Sequence, residues 1–363
     1  MKYNYVVVGA GLSGAVFVNE AKKAGKSCLV IEKRNHIGGN CHQFDVCGIP
    51  VHAYGAHIFR TDKKSIWEYV NQFAEFAPFV NTPIGVFEGN AYNLPINMNT
   101  FNRLWGTVTP DEARKKVAGQ LAPCENPQNL EEWALSVVGK DIYEIFIKEY
   151  SEKQWGTVCS NLPKEVIRRI PIRFTYNNNY YSQAFQGVPI TSYDNMISAM
   201  FDGCEVWLNT CFNMEEHGRL ASDGIVYTGA LDRLFDYRLG QLGWRGLQFK
   251  HNVYDKQDVQ GVAVVNHLSK EVPYTRTIEH KHFLRDCYNK PVTVVTEECP
   301  INWTIGLEPY YPLEDEENKQ LARAYCKMAQ ECGIIPLGRL GEYKYFSMDE
   351  AIENALTKAR EVL

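Results

Sequence analysis

The sequence predicts an α/β fold with more than one domain, and three observations lead to that prediction. The chain opens with an apolar run, a glycine-rich turn and a helical pattern, which is the order of a βαβ unit. A mostly helical pattern follows over residues 98–158, and alternating or β-branched runs occupy residues 166–190 and 245–300. A chain of 363 residues, 45% of them hydrophobic, has enough apolar side chains for two or three cores.

The N-terminal elements form a complete βαβ unit. Residues 5–8, YVVV, predict a parallel strand that is buried on both faces. A glycine turn follows, and a helix is expected over residues 13–24. A second apolar strand, SCLVIE, ends at Glu32. Units with this order of elements bind nucleotides at the first turn.

Beyond this unit, helical patterns alternate with short extended runs. A capping signal at Thr61 and Asp62 predicts a helix whose apolar stripe is Ile66, Val70 and Phe73. Prolines then break the helical pattern, so residues 78–97 are expected to form a crossing segment with short strands. The chain should end in helices over 314–332 and 348–362, the second opened by an S-x-x-E capping box at Ser347 and Glu350.

Composition narrows the possible partners and the compartment. The formal net charge of −5 gives no global field that would attract nucleic acid or an anionic membrane, so an anionic ligand needs local arginines. The eleven cysteines form no C-x-x-C pair, which favours reduced thiols in a cytoplasmic protein. Glycines interrupt the apolar N-terminal run, and no stretch of 18 apolar residues occurs, so we expect neither secretion nor a membrane span.

Gly9, Gly11 and Gly14 form a G-x-G-x-x-G motif directly after a strand and at the start of a helix. The first glycine allows a tight turn, the second lets a pyrophosphate approach the backbone, and the third lets helix and strand pack closely. Glu32, about twenty residues further on, can accept from a ribose hydroxyl. Glycine turns also occur for structural reasons, but strand, helix and carboxylate together predict dinucleotide binding.

Two further glycine segments favour FAD over NAD. Gly38 and Gly39 follow Glu32 closely and add a second pair that lets a ligand approach the backbone. Gly338 and Arg339 precede the capped helix at 348, as in flavoproteins where a helix N-terminus stabilises the anion of a reduced flavin. An ordinary turn between helix and strand would give the same GRLGEYKY pattern, and the sequence leaves both interpretations open.

Ten segments of the chain resemble bacterial UDP-galactopyranose mutases: EKRNHIGGN, YGAHIF, LPINMNTF, EYSEKQWG, RRIPIRF, NNYYS, QGVP, VPYTRTIEHKHF, EPYYP and GRLGEYKY. The resemblance runs from residue 1 to about 360, and it implies a homodimer with three domains in each chain. The implied Rossmann-like FAD domain comprises residues 1–79, 187–240 and 313–363. An inserted helical domain comprises 98–158, and a six-stranded antiparallel sheet domain comprises 80–97, 159–186 and 241–312.

The resemblance also implies the reaction, which interconverts UDP-galactopyranose and UDP-galactofuranose without net redox change. FAD must be in its reduced form, and the reaction passes through an adduct between flavin N5 and the anomeric carbon of the sugar. UDP leaves as an anion, and the sugar ring recloses through its 4-hydroxyl. The protein would bind the diphosphate, stabilise developing charge and exclude water.

Site residues are carried over from the same motifs. The resemblance implies cofactor contacts from Gly9, Gly11, Gly14, Glu32, Lys33, Gly38, Gly39, Asn40, His57, Ile58, Arg339, Tyr345 and Met348. It implies substrate contacts from Arg60, Phe146, Tyr150, Ser151, Trp155, Arg169, Tyr180, Tyr181, Asn266, Arg276, Tyr310 and Tyr345. Catalytic roles fall to His57, Arg60, Arg169 and Arg276. Arg169, on a mobile lid, and Arg276 would hold the diphosphate, for which a guanidinium fork is well suited.

Two of these assignments have plainer interpretations. Phe146, Tyr150, Ser151 and Trp155 lie at i, i+4, i+5, i+9, near one side of a helix, and such a stripe often belongs to a core. His280 and His282 in EHKHF are expected on one face of a strand. With no third ligand near them in the sequence, we expect packing or hydrogen bonding rather than a metal.

Two residues depart from the family pattern. After EYKY the family usually has an aromatic residue and an aspartate, whereas this chain has Phe346 and Ser347, so one carboxylate near the flavin is missing. Arg60 stands where the family has a histidine. A guanidinium there could donate to an acetamido group at the sugar's 2-position, which raises UDP-N-acetylgalactosamine as an additional or preferred substrate. Pairing of Arg60 with a carboxylate or a flavin oxygen is the other interpretation.

Two other functional classes share the nucleotide-binding features. An FAD-dependent oxidoreductase would show net electron transfer to oxygen or a nicotinamide. A non-catalytic binding protein, like some prenyl-protein escort proteins, would lack a bound flavin. The full glycine set and the paired arginines argue against the second class.

Overall fold

A computed structural model describes residues 2–164 and 172–363. The strands are β1 Tyr3–Val8, β2 Cys28–Ile31, β3 Gln43–Val46, β4 Ile49–His52, β5 Phe59–Thr61, β6 Phe76–Pro78, β7 Ile84–Phe87, β8 Asn90–Asn93, β9 Phe185–Pro189, β10 Glu205–Trp207, β11 Ala221–Tyr227, β12 Trp244–Tyr254, β13 Val264–His267, β14 Arg276–Glu279, β15 Thr293–Asn302, β16 Tyr311–Pro312 and β17 Ile334–Pro336. The α-helices are α1 Leu12–Lys23, α2 Lys64–Val70, α3 Met98–Trp105, α4 Pro110–Ala118, α5 Leu130–Val137, α6 Lys140–Ile142, α7 Glu149–Trp155, α8 Tyr193–Met200, α9 Met214–His217, α10 Leu231–Leu234, α11 Glu316–Glu331, α12 Gly338–Gly341 and α13 Met348–Val362. The predicted α/β class is confirmed.

A five-stranded parallel sheet is built around β1, in the order β10-β2-β1-β11-β17. Successive side chains of β1 face opposite sides of the sheet. Val7 packs with α1 and α13 in one buried cluster, and Val6 packs with α11 in another. Burial on both faces explains the uninterrupted apolar run that predicted this strand.

Helix boundaries follow the sequence prediction closely at both ends of the chain. Helix α1 covers Leu12–Lys23, one residue from the expected range, and α13 covers the expected residues 348–362. The predicted capping box is present, because the Ser347 N–H donates to the Glu350 carboxylate at 2.8 Å. The capping signal predicted near Thr61 and Asp62 lies one to two residues before the N-cap of α2, which is Lys63, and Phe73 lies beyond the end of that helix.

The second large sheet has seven strands in the order β16-β12-β15-β14-β13-β7-β8. The prediction was six antiparallel strands, and the difference lies at one edge. The β7–β8 hairpin comes from the crossing segment at 78–97, and β7 pairs with β13 in parallel. A strand from a distant part of the chain needs no tight hairpin to its neighbour, so parallel pairing is open to it.

Helices α3 to α7 surround a separate buried cluster. The stretch predicted as one regular helix begins with π-helical turns over Tyr143–Lys148 and continues as α7. Gly156, with φ of +73°, ends α7 in the left-handed region. π-turns inside a helix are frequent at functional sites.

The domain boundaries given above remain predictions. Across the described ranges, no helix combines the length and apolar content that crossing a bilayer requires.

Candidate active site

The three motif glycines form a tight turn between β1 and α1. Gly9 has φ of +104°, and a Cβ on Gly14 would lie 2.3 Å from the Gly9 carbonyl oxygen. The helix therefore packs directly on the turn, and only glycine fits at Gly14. Gly11 is the N-cap of α1, so the first N–H groups of the helix are open to an anionic ligand.

Two more glycine segments converge on the start of α1. Gly38 and Gly11 form a parallel β-bridge, and a Cβ on Gly39 would lie 2.9 Å from the Gly11 Cα. Gly338, with φ of +75°, leaves only 2.7 Å between a Cβ and the Ser13 Oγ. The late GRLGEYKY turn thus contacts the first βαβ unit. This geometry favours a cofactor-binding turn over an unrelated connection.

Glu32 lies at the end of β2 with its carboxylate fixed and only 6% exposed. It accepts from the Ala10 N–H and the Arg34 N–H, each at 2.8 Å. A carboxylate has lone pairs beyond these two, so it can also accept from a ribose hydroxyl. Beside it, Lys33 and Arg34 pair with Glu308, and the Arg34 guanidinium lies 3.4 Å from the Asn40 Oδ1.

The predicted flavin-side residues His57, Ile58 and Met348 are each held by neighbouring residues. The His57 Nδ1–H donates to the Gly55 carbonyl at 2.7 Å, and the Tyr193 hydroxyl donates to the His57 carbonyl at 3.1 Å. The neighbouring Ile58 is buried. At the start of α13, the Met348 sulfur lies 3.8 Å from the Cys41 sulfur. The Met348 contact brings the N-terminus of α13 to the segment that directly follows Gly38 and Gly39.

Arg339 contributes positive charge at the same place. Its guanidinium donates to the Phe346 carbonyl at 2.9 Å and lies 4.9 Å from the centre of the Tyr345 ring. The Tyr311 ring centre is 6.0 Å away and stacks on Tyr345. Tyr311 was not singled out from the sequence, which favoured Tyr310. Tyr310 instead packs against Phe249.

Arg276 lies at the centre of the seven-stranded sheet. On β14 it lies beside Asn266 of the neighbouring strand β13 and, on the other side, beside Glu298 of strand β15. Its Nε lies 3.0 Å from the Glu298 Oε1, and the Tyr150 hydroxyl lies 3.4 Å from the Asn266 Oδ1. The predicted substrate residues Tyr150, Asn266 and Arg276 are therefore brought together.

Glu298 is a site residue that the sequence did not reveal. It is 2% exposed, and burial raises the pKa of its carboxyl, while the Arg276 guanidinium opposes that rise. A Cβ on Gly55 would lie 3.0 Å from the Glu298 Oε2, so the carboxylate also touches the YGAHIF segment. Its only sequence signal is a glutamate that breaks the apolar face of a buried strand.

Arg60 stacks on an aromatic ring of the predicted site. Its guanidinium carbon lies 3.9 Å from the centre of the Tyr181 ring, and Tyr181 meets Tyr180 edge to face at 5.0 Å. Arg60 and Arg276 both lie close enough to Tyr180 to oppose the effect of burial on the pKa of its hydroxyl. A cation–π contact of this kind restrains a guanidinium without neutralising its charge.

The remaining predicted substrate residues differ in accessibility. Phe146 is 1% exposed and packs edge to face on Tyr92 inside the helical cluster, so its binding role remains a prediction. Ser151 is buried, and Trp155 is half-buried against the same cluster. Arg169 lies outside the described residues.

After Glu279 ends β14, His280–Phe283 form a 3-10 turn, so the predicted strand is wrong beyond Glu279. His280 accepts from the His52 N–H at 3.2 Å, and its other ring nitrogen lies 2.6 Å from the Thr296 hydroxyl. The second histidine, His282, turns away and lies 3.2 Å from the Asp258 carboxylate. His280 therefore makes hydrogen bonds, and His282 makes ion-pair contacts with Asp258 and Glu279.

Asp258 and Glu279 bring possible third ligands close to His282, which the sequence spacing did not reveal. Their ligand atoms lie within 4.8 Å of one another. The Glu279 carboxylate already accepts from the Gln260 N–H at 2.8 Å and the Thr293 hydroxyl at 2.7 Å. These bonds account for the group as an ion-pair cluster that holds the 258–260 loop.

Buried neutral histidines should make the protein sensitive to acid. Burial lowers the pKa of His280 to about 3 and of His57 to about 4. Below pH 6.5 the unfolded chain takes up protons that the folded chain does not, so stability falls as pH falls. For His280 alone, the free energy of unfolding should drop by about 3 kcal/mol between pH 6.5 and 4. Urea unfolding at several pH values measures this slope, which should be shallower in His280→Gln; an unchanged slope would contradict the assignment.

Comparison with known proteins identifies the family. A family model described as UDP-galactopyranose mutase matches residues 145–345, and one described as an NAD(P)-binding Rossmann-like domain matches residues 7–73. A solved structure of reduced UDP-galactopyranose mutase has a TM-score of 0.77 at 14% identity, covering 100% of this chain and 94% of that one. A putrescine oxidase variant has a TM-score of 0.57 at 12% identity, covering 100% and 99%. At these identities the structures show the fold alone, which mutases and oxidases share.

Sequence relatives distinguish between the mutases and the oxidases that share this fold. A probable UDP-galactopyranose mutase of Klebsiella pneumoniae is 39% identical over 99% of this chain and 94% of its own length. A dTDP-fucopyranose mutase of Escherichia coli is 32% identical, covering 98% and 97%. A UDP-galactopyranose mutase of Mycoplasma pneumoniae is 30% identical, covering 100% and 96%. The chain belongs to the UDP-galactopyranose mutase family.

Proposed function

We propose that this protein interconverts UDP-galactopyranose and UDP-galactofuranose, using reduced FAD and without net redox change. The observation that carries the proposal is the Arg276–Glu298 pair, which lies between Asn266 and the YGAHIF segment. The buried Glu298 carboxylate pairs with the Arg276 Nε, and within the described residues no hydrogen bond occupies the terminal N–H groups of Arg276, which can donate to a diphosphate. Family membership supports the choice of a UDP-sugar as the ligand.

The residues present fit FAD. A Cβ on Gly39 would lie 2.9 Å from the Gly11 Cα, so Gly39 leaves no room for a side chain in this backbone cradle, which lies at the N-terminus of α1. The Glu32 carboxylate suits the ribose hydroxyls, and the N-terminus of α13 suits a flavin anion. When bound and reduced, the flavin would supply the nucleophile, at N5, that attacks the anomeric carbon.

The chain's own residues would then bind the substrate and balance its charge. Arg276 would neutralise the UDP diphosphate as it leaves the sugar, and Glu298 would hold Arg276 in position. Tyr150 and Asn266 would hydrogen-bond the nucleotide sugar, while Tyr180 and Tyr181 would cover it from water. Arg169 remains a second candidate for the diphosphate.

The stacked Arg60 supports the proposal that this enzyme also accepts UDP-N-acetylgalactosamine. Tyr181 restrains the guanidinium while its N–H donors stay available, as hydrogen bonding to an acetamido carbonyl requires. The described residues place no carboxylate within ion-pair distance of Arg60, which weakens one of the alternatives.

Substituting Arg60 should change the sugar preference. We expect Arg60→His to lower kcat/KM for UDP-N-acetylgalactofuranose by about tenfold or more, and to change kcat/KM for UDP-galactofuranose by less than threefold, because one hydrogen bond to a charged group is lost. Tyr181→Leu is the matched variant: it removes the ring but keeps the arginine, and should give a smaller shift in the same direction. Equal effects of Arg60→His on both sugars would remove the idea.

Product analysis tests the proposed function directly. Dithionite-reduced enzyme is incubated separately with UDP-galactofuranose, UDP-N-acetylgalactofuranose and a dTDP-furanose, and the pyranose products are separated by chromatography. Conversion of a UDP-furanose supports the proposal, and conversion of the dTDP-sugar alone would assign the chain to the other activity seen among its relatives.

We also propose a cytoplasmic homodimer, for which light scattering of the purified enzyme gives the subunit number.

A further inference from the structure

Lys153, on the last turn of α7, is enclosed by the backbone of one β-hairpin. Its Nζ lies within hydrogen-bond distance of four carbonyl oxygens, which share its three N–H groups: His267 at 2.8 Å, Ser269 at 2.7 Å, Val272 at 2.9 Å and Tyr274 at 3.0 Å. All four belong to the end of β13 and the turn that leads into β14. A compact ammonium on a long flexible stem can serve four converging carbonyls, which a planar guanidinium cannot.

The enclosed turn joins the two strands that carry Asn266 and Arg276. These residues face each other across the β13–β14 pair, one residue from His267 and two from Tyr274. Helix α7 is tied to the same turn a second time, because the Lys270 N–H donates to the Glu149 carboxylate at 2.8 Å.

We propose that Lys153 is a positioning residue that fixes α7 against the β13–β14 hairpin, so that Tyr150 and Arg276 close on the same UDP group. The inference rests on the proposed function, since it takes these two side chains as UDP contacts. Without the ammonium, four carbonyl oxygens would lose their donor and the turn would rearrange or admit water. The distance between Tyr150 and Arg276 would then no longer be fixed.

The positive charge of Lys153 should affect UDP binding, in addition to the shape of its side chain. Burial lowers the pKa of Lys153 to about 8, and the Glu149 carboxylate on α7 opposes the shift. The other ionisable groups around it keep one form between pH 7 and 9: the pKa of His267 is lowered to about 4, and those of Tyr274 and Cys299 are raised by burial. Deprotonation above pH 8 removes one N–H donor, so UDP binding should weaken there.

Lys281 provides the matched control. It is 1% exposed, and its Nζ donates to the carbonyls of Gln257, Lys290 and Val292. None of these residues has been placed in the active site. Lys281→Met therefore reports the general cost of losing a buried, carbonyl-bound lysine.

The test compares holoenzymes carrying Lys153→Met and Lys281→Met. UDP alone is titrated by calorimetry at pH 7 and 9, and kcat, KM and Tm are measured alongside. We expect Lys153→Met to raise the Kd for UDP and the KM about tenfold with kcat changed less than threefold, and to abolish the pH dependence of Kd. Lys281→Met should lower Tm to a similar extent and leave Kd unchanged. Equal Kd changes in both variants, or none in Lys153→Met, would overturn the inference.

The UDP titration separates this inference from the proposed function. Wild-type enzyme that binds UDP but converts no UDP-furanose would contradict the proposed reaction, and the Lys153 comparison would still be decided by Kd. Wild-type enzyme that fails to bind UDP would overturn both.

Discussion

Replacing Arg276 with methionine should lower kcat/KM by about a thousandfold or more and destabilise the protein at the same time. The activity falls because the departing diphosphate loses its buried counter-charge, an effect of about 10²–10³ for a single donor even without a full charge. Stability falls because Glu298 is left buried without a partner, which costs about 3–5 kcal/mol. Steady-state kinetics and urea unfolding measure the two effects separately.

The double variant Arg276→Met with Glu298→Gln separates the two roles of the arginine. Removing the buried negative charge should restore most of the lost free energy of unfolding, because a neutral amide costs less to bury. Activity should stay near the level of Arg276→Met. If kcat/KM recovers together with stability, Arg276 serves the fold and does not bind the diphosphate.

Alanine at Gly11 and at Gly14 should have different consequences, although both glycines belong to one motif. Gly14→Ala should reduce the yield of folded protein severely, since its Cβ would lie 2.3 Å from the Gly9 carbonyl oxygen. Gly11→Ala should fold, because Gly11 has φ of −88° and its Cβ would meet the Gly39 Cα at an ordinary 3.5 Å. That methyl group would occupy the surface a pyrophosphate needs, so flavin content should fall by about tenfold or more.

Absorbance of flavin released per purified chain measures this difference, and circular dichroism reports the fold. Gly119→Ala is the matched control, because Gly119 ends α4 with φ of −72° and leaves 3.4 Å to the nearest atom. It should keep both the flavin and the stability. A folded Gly11→Ala protein with a full complement of flavin would show that the cofactor does not lie against this turn.

Local patterns were enough to predict much of the fold. The apolar run YVVV and the three glycines after it predicted strand β1 and helix α1. The capping box and the apolar stripe predicted α13. Each of these signals lies within about fifteen neighbouring residues. Gly11 and Gly39 lie further apart in the chain, and they meet because the parallel pairing of β1 with β2 places the carboxyl ends of both strands at one edge of the sheet.

Features that depend on pairing between distant segments could not be predicted. The contact of Arg276 with Glu298 is set by the register of β14 and β15, and the parallel pairing of β7 with β13 joins residues far apart in the chain. Tyr310 and Tyr311 are adjacent, and only the placement of β16 decides that Tyr311 lies beside Arg339. The four carbonyls around Lys153 come from the β13–β14 turn, more than a hundred residues further along the chain, so no local pattern marks this lysine.

The central claim is that reduced flavin takes part in the reaction without being consumed, and electron counting tests it most directly. Anaerobic enzyme is reduced with one electron pair per flavin, excess reductant is removed, and UDP-galactofuranose is added in hundredfold excess. We expect many molecules of UDP-galactopyranose per electron pair, with the flavin still reduced at the end. At most one product per electron pair, with the flavin oxidised, would contradict it and assign the chain to the oxidoreductases that share its fold.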